Sequence, residues 1–166
     1  MMLISFGTER FPFKRLCKYI ERLLKEKVYT EKIIVQYGKT KCDNLQSLSK
    51  KYPNLNVFDF FPYTKFVEFI KKTDVVITHA GVGSFLDVIN RGKIPIIVPR
   101  KPKLGEHLDD QQLQLAGMLK RLYNLPVAYT YKELKNYILK KDTLKANIKS
   151  YKKPLIRYLR DWVLEN

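Results

Sequence analysis

Apolar residues recur along the chain in two alternating rhythms. Short, largely apolar runs, Met2-Leu3-Ile4-Ser5-Phe6, Ile33-Ile34-Val35, Leu55 to Phe61, Asp74 to Thr78 and Ile94 to Val98, are separated by stretches in which apolar residues return every three or four positions. Runs of this length without polar alternation predict strands buried on both faces, and the 3.6-residue period predicts helices. Phe13, Leu16, Cys17, Ile20, Leu23 and Leu24 outline the first helix, Asp43 to Lys51 a second closed by Pro53, and Phe66, Phe69 and Ile70 a third. Leu108, Leu115, Ala116, Leu119 and Leu122 share one helical face; Pro126 to Tyr129 predicts a last short strand, and Tyr131 to Leu139 a further helix. Strand and helix in strict alternation imply parallel βαβ units with right-handed crossovers. The expected fold is one α/β domain over residues 1–166, a Rossmann-like three-layer sandwich with a parallel sheet of about six strands. A basic amphipathic helical tail from about 143 to 166 follows it, with apolar Leu144, Ile148, Tyr151, Leu155, Leu159 and Trp162 opposite Lys145, Lys149, Lys152, Lys153, Arg157 and Arg160.

The stretch from Asp74 to Gln112 organises the rest. It reads as strand, glycine turn, helix, strand, polar loop and helix, and in open α/β sheets the loops after the strands are where ligands bind. Gly81 and Gly83 stand where strand hands over to helix, so backbone N–H groups and the positive helix end face outward, an arrangement that suits a diphosphate. The same glycines would also serve a plain tight turn. Ser84 is placed to cap that helix or to donate to a phosphate. Asp87, one turn on, lies within reach of a ribose hydroxyl pair and equally complements the helix dipole. Gly105-Glu106-His107-Leu108-Asp109-Asp110-Gln111-Gln112 gathers hydrogen-bonding side chains suited to sugar hydroxyls at a helix start, where acids are also ordinary caps.

Composition narrows the partners. Thirty-two Lys and Arg against 16 Asp and Glu give a net charge of +16, which attracts polyanions: nucleic acid, nucleotide phosphates or an anionic membrane face. Nucleic acid has only this charge and the 11 tyrosines in its favour, with no stacking motif or recognition helix, and is not expected as a partner. The basic face of the tail fits a membrane or partner contact, and equally a solvated helix face. Cys17 and Cys42 do not form a CxxC pair and are expected as reduced thiols of a cytoplasmic protein. His79 and His107 lie far apart in sequence, and Asp109-Asp110 lacks further ligands at a metal-binding spacing, so no metal is expected. The chain opens on a strand without a signal-peptide pattern, and no apolar run approaches the roughly 20 residues of a membrane helix, so membrane contact is expected to be peripheral.

Three segments carry a resemblance: Gly7-Thr8-Glu9-Arg10-Phe11-Pro12-Phe13, Thr78-His79-Ala80-Gly81-Val82-Gly83-Ser84, and Pro99 through Gln112. In this order they resemble the carboxy-terminal donor-binding domain of family 28 glycosyltransferases, in particular its single-domain branch of soluble subunits from two-part UDP-sugar transferases, with bacterial counterparts in capsule and exopolysaccharide synthesis. The resemblance implies half of a GT-B enzyme, with no cofactor and no metal, that binds a UDP-sugar and transfers a hexose with inversion to a polyprenyl-diphosphate-linked sugar. The acceptor half would be a membrane-associated partner that recruits the chain to the cytoplasmic face. It places the diphosphate at Ala80, Gly81, Val82, Gly83 and Ser84, the ribose at Asp87 where the family usually carries Glu, and uracil near Phe60 and Phe61. Gln112, with Asp110 and Gln111, would meet the sugar, and Gly7, Thr8, His79, Arg100 and Glu106 complete the donor site. Glu9, His79 and His107 are the candidate proton acceptors. A second reading makes the chain a non-catalytic subunit that enhances such a partner.

Overall fold

The computed structural model describes residues 1–40, 42, 44–143, 154, 156–158 and 161; apart from five positions after Thr143, the expected tail helix therefore lies outside the described residues. The order is β1 (Met2–Ser5), α1 (Lys14–Lys25), β2 (Ile33–Gln36), α2 (Leu45–Lys51), β3 (Leu55–Phe58), α3 (Tyr63–Lys72), β4 (Val75–Thr78), α4 (Val82–Asn90), β5 (Pro95–Ile97), α5 (Gln111–Tyr123) and α6 (Tyr131–Leu139), with 3-10 turns at Pro102–Leu104 and Lys141–Thr143. The strands form one parallel sheet in the order β3-β2-β1-β4-β5.

Strand side chains alternate between two cores, as the period of two requires. Met2, Ile4, Ile33, Val35, Val75, Ile77 and Ile96 pack with α1, α2 and α6. Leu3, Ile34 and Val76 face α3 and Val88 of α4, while Ile97 joins Phe85 and Ile89 of α4 and Leu115, Ala116 and Leu119 of α5. Helices thus cover both faces of the sheet, and the expected three-layer α/β fold is present.

Two expectations are corrected. Among the described residues the sheet has five strands rather than about six, because Pro126 to Tyr129 contributes only a single bridge between Val127 and Ile97. Pro126 has no N–H to extend a ladder, and the chain turns directly into α6, whose start is fixed by a reciprocal capping box between Thr130 and Glu133. The second concerns Cys17 and Cys42, expected as free thiols. They are joined in a disulfide, because α1 and the loop before α2 run side by side and bring their Cα atoms to 6.1 Å.

Candidate functional site

The sheet order sets the place of the site. From β1 the chain winds outward through β2 to β3, and then returns to β4 on the other side of β1, so the loops leaving β1 and β4 diverge and open a crevice between them. The β1 loop contains Gly7 at φ 77°, a left-handed conformation that favours glycine. Ser5 anchors its base, accepting from the Gly7 N–H at 3.4 Å and donating to Gln36 Oε1 at 2.8 Å. Thr8 is exposed and Glu9 half-exposed on the same loop.

On the β4 side, Gly81 is the N-cap of α4 and brings no capping side chain. The first N–H groups of a helix have no intrahelical acceptor, so those of Val82, Gly83 and Ser84 point at the crevice with the positive end of the helix dipole behind them. Gly83 is exposed, and a Cβ there would meet nothing within 4 Å. Between the two loops lies His79, 6% exposed, and Ala80 beside it is buried too. A Cβ at Gly7 or at Gly81 would run into the His79 imidazole. Both glycines are therefore required by this packing, whatever binds outside it.

Burial holds the His79 imidazole far below the ordinary histidine range, at about 3, and the positive charge of Arg100 adds to the effect. Its Nδ1 is buried without a partner. A neutral ring so hard to protonate is a poor general base. His107 and Glu9 are the more accessible of the three proton-acceptor candidates. His107 lies against Phe11, ring centroids 6.1 Å apart, with Nδ1 3.2 Å from the Asp109 carbonyl oxygen.

The structure turns Arg100 and Glu106 inward. Arg100 is fully buried, and its guanidinium donates to the carbonyl oxygens of Phe6 (2.7 Å), Phe11 (2.7 Å) and Glu106 (3.0 Å) while covering the Phe13 ring. Burial pushes its pKa down to about 10, against the stabilising charges of Glu106 and Glu9, so it stays a cation at neutral pH. The Glu106 carboxylate receives Arg15 Nε and Nη2 at 3.1 and 2.8 Å and the Lys101 N–H at 2.8 Å. Of the Arg100 nitrogens, Nε is buried without a partner. The two side chains tie the loop after β5 to the loop after β1.

That tie also orients Gln112. Its Oε1 accepts from the Arg100 N–H at 3.1 Å, which leaves the amide nitrogen as the donor it can offer a ligand. Asp110 is exposed at the N-cap of α5, and Gln111 follows half-exposed, its N–H bound to Asp109 Oδ1 at 3.0 Å. On the opposite side of the crevice, Phe60 is 43% exposed, whereas Phe61 turns into a cluster with Phe58, Phe66 and Phe69. Asp87 stands on α4, held by Tyr63 and Arg91.

Sequence reasoning missed Tyr63, Arg15 and the Ser5–Gln36 pair. The i,i+4 spacing of Asp87 and Arg91 was a readable signal. No sequence spacing marks a bond across the 24 residues between Tyr63 and Asp87, or the 91 between Arg15 and Glu106.

The architecture has known counterparts. The NMR solution structure of ALG13 matches with a TM-score of 0.62 at 19% identity, over 96% of each chain. The crystal structure of Acinetobacter baumannii MurG matches with a TM-score of 0.55 at 15% identity, over 95% of this chain and 49% of that one. At these identities the likeness is one of fold. In sequence, the chain is 32% identical over 95 residues to the UDP-N-acetylglucosamine transferase subunit ALG13 of Candida albicans, covering 57% of this chain and 31% of that relative. It therefore spans less than a third of that relative's length. The sequence model of the glycosyltransferase family 28 C-terminal domain matches residues 1–155, taking in the β1 loop, the glycine turn and the Gly105 to Gln112 loop together, and on that match the chain belongs to this family.

Proposed function

We propose that this domain binds the donor of a two-part UDP-sugar-dependent glycosyltransferase, with the diphosphate on the open N–H groups of α4. The observation that carries the reading is this helix start. It is uncapped, widened by Gly81 and Gly83, and located at the one place in the sheet where diverging loops form a crevice. From there the donor runs in two directions. Asp87 lies toward the ribose and the exposed Phe60 toward the base, while Asp110, Gln111 and the Gln112 amide lie toward the sugar. Donors fixed in advance stabilise the charge that develops on departing UDP, with no reorganisation during the reaction. The proton of the acceptor hydroxyl goes to Glu9, to His107 or to a group on the acceptor half.

The acceptor half is a separate, membrane-associated unit in this reading. The relative from Candida albicans bears the name of a subunit, and MurG is about twice as long as the part this chain matches. No helix among the described residues is long and apolar enough to cross a membrane. Peripheral contact at the cytoplasmic face, supported by the +16 charge, would bring the domain to a lipid-linked sugar acceptor. The finer assignment is an inverting, metal-independent hexosyl transfer in capsule or exopolysaccharide synthesis.

Calorimetric titration of UDP into wild type and Gly83→Asp tests the donor site. The side chain enters open space, and an aspartate in the first turn favours the helix, so the variant should keep its fold. A carboxylate facing the phosphates should weaken UDP at least about tenfold, since repulsion near 1.4 kcal/mol suffices. Equal affinity would reject the phosphate assignment. No binding by wild type would favour the non-catalytic subunit instead.

A further inference from the structure

The two oxygens of the Asp87 carboxylate are used differently. Oδ1 accepts from Tyr63 Oη at 2.6 Å and from Arg91 Nη1 at 2.9 Å. Arg91 is itself fixed, because Nη1 also donates to the Asp87 carbonyl oxygen at 2.7 Å and Nη2 lies 3.4 Å from Tyr63 Oη. Oδ2 has no partner among the described residues. An i,i+4 ion pair alone would be worth little and would let the carboxylate turn. A third point of attachment from another helix removes that freedom and leaves one oxygen pointing away from the cluster.

Tyr63 gains little by burial, since it is 60% exposed at the first position of α3. Its hydroxyl crosses to α4, and the residue comes directly after Phe60, Phe61 and Pro62. The aromatic edge, the locked carboxylate and the open helix start thus follow one another along the crevice.

Resting on the donor site proposed above, we infer that Tyr63 is a specificity-determining positioning residue for the nucleotide ribose. With Arg91 it saturates Oδ1 and presents Oδ2 to a ribose hydroxyl. This compensates for the shorter reach of an aspartate where the family resemblance leads to glutamate. The ligand class is a ribonucleoside diphosphate, selected over its deoxy forms.

The test is calorimetric titration of the full chain, wild type and Tyr63→Phe, with UDP, 2′-deoxy-UDP and 3′-deoxy-UDP. The substitution deletes one exposed hydroxyl, and unfolding curves of both proteins check that the fold is kept. Wild type should prefer UDP over at least one deoxy form by about tenfold, as expected for one hydrogen bond to a charged acceptor. Tyr63→Phe should lower UDP affinity by a similar factor, leave that deoxy form unchanged and bring the ratio toward one. A merely structural tyrosine would shift all three ligands alike and leave the ratio intact, which would overturn the inference. Tighter UDP binding by the variant would overturn it too, because Tyr63 would then compete with the ribose. A wild type that binds all three equally rejects the ribose contact while keeping the diphosphate site, whereas a wild type that binds none rejects both.

Discussion

Arg100→Met is expected to be among the most destabilising single substitutions in this domain, lowering the unfolding free energy by about 3–5 kcal/mol in a urea titration. Methionine fills much of the volume and can cover the Phe13 ring, so the loss is not mainly one of packing. What it cannot do is donate, and the carbonyls of Phe6, Phe11 and Glu106 would lose the donor they share. Arg15 would keep its bidentate partner in Glu106, but the loop that presents Glu106 would no longer be tied to the β1 loop. Arg100→Lys separates charge from geometry. One ammonium cannot span three carbonyls reached from two guanidinium nitrogens, so lysine should recover only part of the stability. A loss below about 1 kcal/mol for methionine would mean that water satisfies these carbonyls and that the tie is weak.

Arg100 also shows where sequence reasoning stops. The family resemblance counts Arg100, a basic residue in the polar loop after a parallel strand, among the donor-site residues. Whether a guanidinium faces outward or inward depends on three carbonyls, two of which belong to a loop some 90 residues earlier in the chain. The direction of the Glu106 carboxylate likewise depends on Arg15, 91 residues earlier. The strands and the two-faced sheet were legible because their signal is local: unbroken runs such as Val75-Val76-Ile77 alternate between two cores when the chain folds. The glycine turn was legible as well, since only small residues fit between a strand end and the ring of His79. The disulfide was not. Twenty-five residues separate Cys17 from Cys42, and their meeting depends on how α1 lies beside the loop before α2.

The His79 ring makes a second large effect measurable through pH. Its folded pKa is near 3, against an ordinary value of 6.5, because burial and the neighbouring cation Arg100 both oppose its protonation. Above pH 6.5 the ring is neutral in folded and unfolded chains alike, and it adds no pH dependence. Below 6.5 the unfolded chain binds a proton that the folded chain refuses, so stability falls as the pH is lowered and goes on falling until the folded pKa is reached. Between pH 7.5 and pH 5 this one group should cost about 2 kcal/mol. Carboxylates contribute to any acid denaturation curve, and a His79→Asn variant removes their share from the comparison. The difference in unfolding free energy between wild type and variant should shrink by that amount as pH falls from 7.5 to 5, and stay constant from 7.5 to 9. A constant difference over the whole range would show that the ring takes up its proton near pH 6.5 in the folded protein as in the unfolded chain. His79 would then become a cation beside the open start of α4 only below that pH, and its place between Gly7 and Gly81 would have to be more open to water than the packing shows.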